Sequence, residues 1–208
     1  MEARLFEEGT VPECTTPEWY AGRERAPHLE EGAHQARLHR TAALVRGFID
    51  DAGAGYTVVD LGAGDGGLLQ LVTTDPPDGL VGAFGYDLQQ TNVAGAAERG
   101  VDVRLGDCVD GDIDWGSVHH RRIAVATEML EHLVDPHAFV SKIAEPADYL
   151  VASSPYTETA ESHYAFHTWA WDFAGYEDLL RQNGWRPVVH EPVGGMFQVI
   201  AAIRKPRW

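Results

Sequence analysis

Lysine is nearly absent from this chain. Of 16 basic residues in 208 only Lys142 and Lys205 are lysines, and 32 acids outweigh them to a formal charge of −16. So acidic a surface repels a phosphate backbone and counts against broad nucleic-acid binding, although a local basic pocket stays compatible with it. Cysteine is as scarce. Cys14 and Cys108 lie far apart and make no disulfide framework, so a reducing cytoplasm is the expected setting. No apolar run approaches the about 18 residues of a membrane span. The opening M-E-A-R-L-F-E-E also lacks the apolar heart of a signal peptide. Internal repeats and low-complexity segments are missing too. With 44% apolar residues, 208 positions are enough for one domain with a sizeable core.

Glycine, by contrast, is concentrated where it matters. Thr57 to Gly67 reads T-V-V-D-L-G-A-G-D-G-G, with strand-favouring Thr57, Val58, Val59 and Leu61 around a single carboxylate, Asp60. Helix-compatible Leu68 to Val72 follows. A buried strand running into glycines and then a helix brings backbone N–H groups to a ligand and lets it approach with no Cβ in the way. Gly62, Gly64 and Gly67 satisfy G-x-G-x-x-G, a weak dinucleotide signal when it stands alone. Asp60, two residues ahead, sharpens it: a carboxylate there repels a pyrophosphate and suits a cationic ligand.

That stretch resembles the first motif of the class I S-adenosylmethionine (SAM) methyltransferases, whose cofactor is a sulfonium with an amino-acid tail. The resemblance implies that Asp60, Gly62, Ala63 and Gly64 hold the cofactor. Val81 to Leu88 reads as the next strand, and its closing Asp87, with Leu88 beside it, is placed to accept both ribose hydroxyls or else to cap a helix. Gly106-Asp107-Cys108 resembles the family's third-strand acid that binds the adenine amino group, with Cys108 as a small packing residue. Glu128, closing a fourth strand over Arg122 to Thr127, completes the cofactor set.

The remaining pattern agrees with this reading. His34 to Asp50 has helical periodicity, ended by Ala52-Gly53-Ala54-Gly55; Thr91 to Arg99 reads as helix and Val101 to Leu105 as strand. Asp148 to Ser154 reads as a fifth strand, Trp171 to Asn183 as helix, and Pro187 to Glu191 with Met196 to Ile203 as a terminal hairpin. The expected fold is α/β: a Rossmann-like seven-stranded, mostly parallel sheet with an antiparallel last strand and helices on both faces. Residues 1–33 form an N-terminal arm or lid and 34–208 the methyltransferase domain. A dehydrogenase would need a second catalytic domain, and no chain is left to build one.

The segment Glu128-Met-Leu-Glu131-His132 reads in two ways. It resembles the E-x-L-E-H run of metal-free small-molecule methyltransferases, where it shapes the pocket and His132 is the leading general base. It also has the E-x-x-E-H spacing of the small-RNA 3′-terminal 2′-O-methyltransferases. There two glutamates and a histidine share a divalent metal with a distant histidine. If the segment starts a helix, its three ligands lie on one face. His163-Tyr-Ala-Phe-His167-Thr-Trp169-Ala-Trp171 resembles that family's H-x-F-E-W element, with His167 at the ligand position, Trp169 for its Phe and Ala170 for its acid. On that resemblance Glu128, Glu131, His132 and His167 would hold manganese, iron, cobalt or zinc.

The best functional reading is methyl transfer to a hydroxyl, or less readily an amine, of a small-molecule acceptor such as a secondary metabolite or sugar. His132 and His167 are the catalytic candidates, and Trp19, Tyr20, His163 and Trp169 the candidate acceptor wall. Metal-assisted 2′-O-methylation of an RNA 3′ end or nucleoside diol is the alternative. A non-catalytic SAM-binding domain is the third reading.

Overall fold

The structure, a computed structural model, describes residues 1–49 and 55–206. In chain order it holds β1 (Glu2–Arg4), α1 (Pro17–Ala21), α2 (Gly32–Ile49), β2 (Tyr56–Leu61), α3 (Gly67–Thr73), β3 (Leu80–Asp87), α4 (Gln90–Arg99) and β4 (Val103–Leu105). Then come β5 (Arg121–Thr127), α5 (Pro136–Ile143), β6 (Tyr149–Pro155), β7 (Trp169–Trp171), α6 (Phe173–Gln182), β8 (Trp185–Val193) and β9 (Phe197–Arg204). Asp50 of the expected first helix and Ala52 to Ala54 of its expected stop lie outside the described residues.

Seven strands form one sheet in the order β4-β3-β2-β5-β6-β9-β8. The pairs from β4 to β6 are parallel, and β9 runs antiparallel to both of its neighbours. The order reverses between β2 and β5, which opens a crevice at the carboxyl ends of the strands. Because side chains alternate across a strand, each central strand feeds two cores. Val58, Ile123, Val125, Val151 and Val199 pack with Leu38, Val45 and Leu68 of α2 and α3. Val59, Ala124, Ala126, Leu150 and Ile200 pack on the opposite face with Phe139 of α5 and Leu179 and Leu180 of α6. Each fully buried Leu, Ile or Phe contributes about 1.5–3 kcal/mol, so both layers are held by the same sheet. Capping sets where the helices begin. Asp135 accepts from Ala138 N at 2.9 Å with Pro136 at the first turn, and Asp172 accepts from Gly175 N at 2.8 Å. Such caps are worth about 1 kcal/mol each.

Two expectations change. Trp171 belongs to a strand, and α6 starts only at Phe173. The W-A-W run is extended because it pairs antiparallel with β1, Glu2 opposite Trp171 and Arg4 opposite Trp169. Glu2 also accepts from Trp171 Nε1 at 2.9 Å. A partner so distant in sequence leaves no trace in local periodicity. The arm therefore carries a short strand as well as α1. Among the described residues no helix is long and apolar enough to cross a membrane.

Candidate active site

The carboxyl ends of β2, β3, β5 and β6 open into one cavity of about 1050 Å³, roofed by the arm. Gly62, Gly64 and Gly66 turn the chain at φ +75°, +56° and +77°, a region that penalises any residue with a Cβ. Their amides do not serve as expected. Gly62 N and Ala63 N both donate to Tyr86 O at 2.9 Å, and Gly64 N donates to Asp87 Oδ2 at 2.8 Å. The loop therefore does not present those N–H groups to a ligand. It works by leaving room: a Cβ on Gly64 would stand in open space, whereas one on Gly66 would meet Val101 Cγ2 at 2.4 Å.

Asp60 lies 1% exposed at the end of β2, and its Oδ1 has no partner. Burial pushes its carboxyl up to about 7, and the nearby Asp87 adds to the effect. Asp87 accepts from Gln89 N at 2.8 Å and Asn92 Nδ2 at 3.1 Å through Oδ1, besides Gly64. It thus closes a turn onto Gln89, the N-cap residue of α4, rather than capping the helix itself, while still lining the cavity beside Leu88. Asp107 spends Oδ1 on Val109 N and Asp110 N, at 2.8 and 3.2 Å, and also reaches the cavity. Cys108 is buried, and burial pushes its thiol up to about 12, so it is a neutral packing residue.

At the other end the E-M-L-E-H segment does not start a helix. Leu130–His132 is a single 3₁₀ turn, and Glu128 precedes it with φ +52°, the positive-φ non-glycine among the described residues. The shared helical face is therefore replaced by an irregular turn, and Glu128 lies outside the ligand-atom group that Glu131, His132 and His167 form. Its Oε1 accepts from Ser153 Oγ at 3.3 Å and its N donates to Ser153 O at 3.1 Å. Glu131 is fully buried and neither carboxylate oxygen has a partner. Burial, with Glu128 beside it, raises its carboxyl well above the usual range. Ligand atoms of Glu131, His132 and His167 lie within 4.8 Å of one another. His132 Nδ1 lies 3.1 Å from Phe166 O, and His167 Nδ1 lies 2.6 Å from Glu158 Oε2. Both contacts put a proton on Nδ1, so Nε2 is the ring nitrogen each histidine has left for a ligand. Burial pushes His132 down to about 3, so it is neutral.

The expected acceptor wall is half present. Trp19 and Tyr20 line the cavity. The Trp19 ring sits 4.9 Å from Phe166, and Arg23 lies over Trp19 at 4.1 Å. His163 is exposed and bonds Thr159 O, while Trp169 is buried in β7 with its ring stacked on Trp171 at 6.1 Å; neither lines the cavity. Sequence spacing could not separate them, because the 163–171 run crosses from a surface loop into the core. Glu158, Phe166 and Arg37 were missed. Glu158 reaches His167 from nine residues earlier in the chain, and no motif announces that pairing.

The arm is fastened over the glycine loop. Arg25 and Arg99 both bond the buried Asp65, Nε to Oδ2 at 3.0 and 3.1 Å, and Ala26 N donates to Asn92 Oδ1 at 3.0 Å. The whole constellation is one cavity lined by carboxylates and glycines from the strand ends and by paired imidazoles and aromatic rings.

Comparison with known proteins places this geometry. A family model described as methionine biosynthesis protein MetW matches residues 43–155, more than half of the chain. Among solved structures, a SAM-dependent methyltransferase from Aquifex aeolicus superposes with a TM-score of 0.62 at 17% identity, covering 91% of this chain and 98% of that one. N-methyltransferase NodS from Bradyrhizobium japonicum WM9, in complex with S-adenosyl-L-homocysteine, gives 0.63 at 13% identity over 92% and 97%. Burkholderia thailandensis 1,6-didemethyltoxoflavin-N1-methyltransferase, solved with 1,6-didemethyltoxoflavin and S-adenosylhomocysteine, gives 0.61 at 17% over 85% and 80%. Identities this low carry the fold alone. No curated protein matches the chain significantly.

Proposed function

The chain belongs to the MetW family, within the class I SAM-dependent methyltransferases, and on that premise we propose that it methylates a hydroxyl of a small molecule held beneath its arm. The observation that carries this reading is the cavity itself, one space lined both by the strand-end acids and glycines and by Trp19, Tyr20, Phe166 and the two imidazoles. The fit to SAM rests on Asp60, whose partnerless buried oxygen suits the ammonium of the methionine tail, and on the open space above Gly64. Asp87 keeps one lone-pair site, on Oδ2, for a ribose hydroxyl, Asp107 keeps Oδ2 for the adenine amino group, and Ala63, Leu88 and Cys108 supply contact surface. SAM brings a methyl group already activated on sulfur, so the protein has to position the acceptor, exclude water and take up a proton.

His167 is the better base of the two histidines. Glu158 orients its ring and provides the counter-charge for the imidazolium. His132, pushed down to about 3, accepts a proton too weakly and serves as pocket wall beside Tyr20. Trp19, Phe166 and Tyr20 hold a flat or apolar acceptor at that end. The test is a methyl-transfer screen over phenols, sugars, amines and RNA 3′ ends. Transfer to RNA ends alone would sink the small-molecule reading, and SAM binding without transfer to any acceptor would favour the non-catalytic domain.

One observation favours a metal-assisted variant acting on vicinal hydroxyls, a nucleoside diol or RNA 3′ end included. Glu131 has two partnerless buried oxygens next to the two imidazoles, and an oxygen acceptor fixes the far nitrogen of each ring. Fixed far nitrogens are what metal-bound histidines need. Glu131, His132 and His167 would hold manganese, iron, cobalt or zinc, with Glu128 brought in only if it leaves Ser153. The metal would lower the pKa of a bound hydroxyl. Metal analysis of untagged protein decides this: near-stoichiometric metal, lost on Glu131→Gln or His167→Ala, supports it, and a metal-free, chelator-indifferent enzyme refutes it.

A further inference from the structure

Arg23 is a charge that the account above leaves without a task. Arg23, Arg37 and Lys142 are the arginines and lysine that line the cavity. Lys142 donates to the carbonyls of Val109 and Gly111, and Arg37 donates to Ser153 Oγ at 3.4 Å and to His34 Nδ1 at 3.1 Å. The Arg23 guanidinium donates to nothing. Among the described residues no acceptor takes one of its N–H groups, and no carboxylate oxygen lies within 4.0 Å of it. A chain of formal charge −16 has acids to spare, and the nearby Arg25 meets both Asp65 and Glu98.

The residue is nonetheless held in place. Arg23 N donates to Tyr20 O at 3.1 Å at the end of α1, and Arg23 O accepts from Thr91 Oγ1 on α4 at 3.1 Å. The guanidinium carbon stands 4.1 Å from the centre of the Trp19 ring and 5.3 Å from that of Phe166. A guanidinium stacked on a ring spends its face and keeps its edge. The N–H donors lie in its plane and stay available to a carboxylate, which can accept two of them in parallel. The charge also sits near the paired imidazoles: after burial and His167, Arg23 helps to hold His132 down.

We propose that Arg23 selects the acceptor by binding the carboxylate of a flat hydroxyaryl acid, whose ring packs among Trp19, Tyr20 and Phe166 and whose hydroxyl turns to His167. This rests on the small-molecule methyl-transfer reading above and narrows its acceptor to an anion. The acids at the strand ends repel a carboxylate, so such a molecule is turned with its charge toward Arg23 and away from the cofactor end. One cation balances one carboxylate. A phosphate monoester, with about 1.5–2 negative charges, would keep an excess of charge among those acids.

The experiment is calorimetric titration into the full chain, first of S-adenosylhomocysteine and then, at saturation with it, of acceptor probes. The probes are para-hydroxybenzoate and para-hydroxycinnamate, each beside its methyl ester, and phenyl phosphate. Wild type should bind at least one of the two aryl acids about tenfold more tightly than its ester. Arg23→Gln should erase that ratio by weakening the acid alone, with the ester and S-adenosylhomocysteine held within about twofold. Arg23→Lys, which keeps the charge without the planar fork, should leave an intermediate ratio. Wild type that binds neither acid more tightly than its ester would overturn the proposal. So would equal losses for acid and ester on Arg23→Gln, or a preference for phenyl phosphate over both acids. Each of these outcomes, with S-adenosylhomocysteine still bound, leaves the methyltransferase reading standing. If S-adenosylhomocysteine itself does not bind, the SAM reading falls and the acceptor assignment with it.

Discussion

Asparagine in place of Asp60 should make the protein more stable at alkaline pH and a poorer binder of its cofactor. Asp60 is buried, its Oδ1 meets no partner, and burial lifts its pKa from 3.8 to about 7. A group whose folded pKa is raised binds protons more tightly in the folded state. Its stabilisation is complete below the unfolded pKa and is lost as pH rises through about 7. A difference of about three between the two pKa values, at about 1.36 kcal/mol each, amounts to about 4 kcal/mol in full. By the same linkage, about 2.5 kcal/mol of it falls between pH 5 and pH 8. His28 and His34, pushed down to about 4, and His132, pushed down to about 3, titrate the other way, losing stability as pH falls below their ordinary 6.5. Those contributions are common to wild type and variant, so the difference between the two isolates Asp60. Urea denaturation of both proteins at pH 5 and pH 8 measures it. Between those values the stability difference should move by about 2–3 kcal/mol in favour of Asp60→Asn, or roughly 5–10 °C in Tm. A difference that does not change with pH would refute the reasoning. If the cofactor's ammonium pairs with the ionised form, S-adenosylhomocysteine should also bind wild type about tenfold more tightly at pH 8 than at pH 6.

The glycine loop separates stability from binding. Gly66→Ala forces a Cβ at φ +77° to within 2.4 Å of Val101 and should cost about 2–4 kcal/mol in denaturation. Gly64→Ala, at φ +56° with free space around it, should cost only about 1 kcal/mol yet weaken S-adenosylhomocysteine at least tenfold, read by calorimetry. Asp65→Ala removes the buried carboxylate that Arg25 and Arg99 share, leaving Arg99 with Glu30 and Gln70 and Arg25 with Glu98. It should cost about 1.5–3 kcal/mol and speed proteolytic cleavage within the arm; an unchanged cleavage rate would show that the arm is held elsewhere.

Much of the fold was readable because it rests on local chemistry. Strand β2 is buried along its whole length and its residues favour strands, and the glycines after it stand where positive φ is needed. Periodicity likewise reports helices α2 and α4 to within a few residues. Two elements escaped it. Trp171 reads as the start of a helix until β1 pairs with the W-A-W run, and E-M-L-E-H reads as a helical face until the positive φ of Glu128 breaks the geometry. Both depend on partners far along the chain or on backbone strain, and neither leaves a spacing signal.

The sequence alone determined the sheet, the family resemblance and the acids at the strand ends, since those follow from side-chain alternation and from where glycine is required. Only the tertiary structure decided what these groups do to one another. It spent the loop's amides on Tyr86 and Asp87, withdrew Trp169 into the core, exposed His163, and joined Glu158 to His167. It also left Arg37, Asp60 and Glu131 buried with donors or acceptors unspent. Burial and through-space pairing set the free energy of a charge, and both come into being when distant segments pack together.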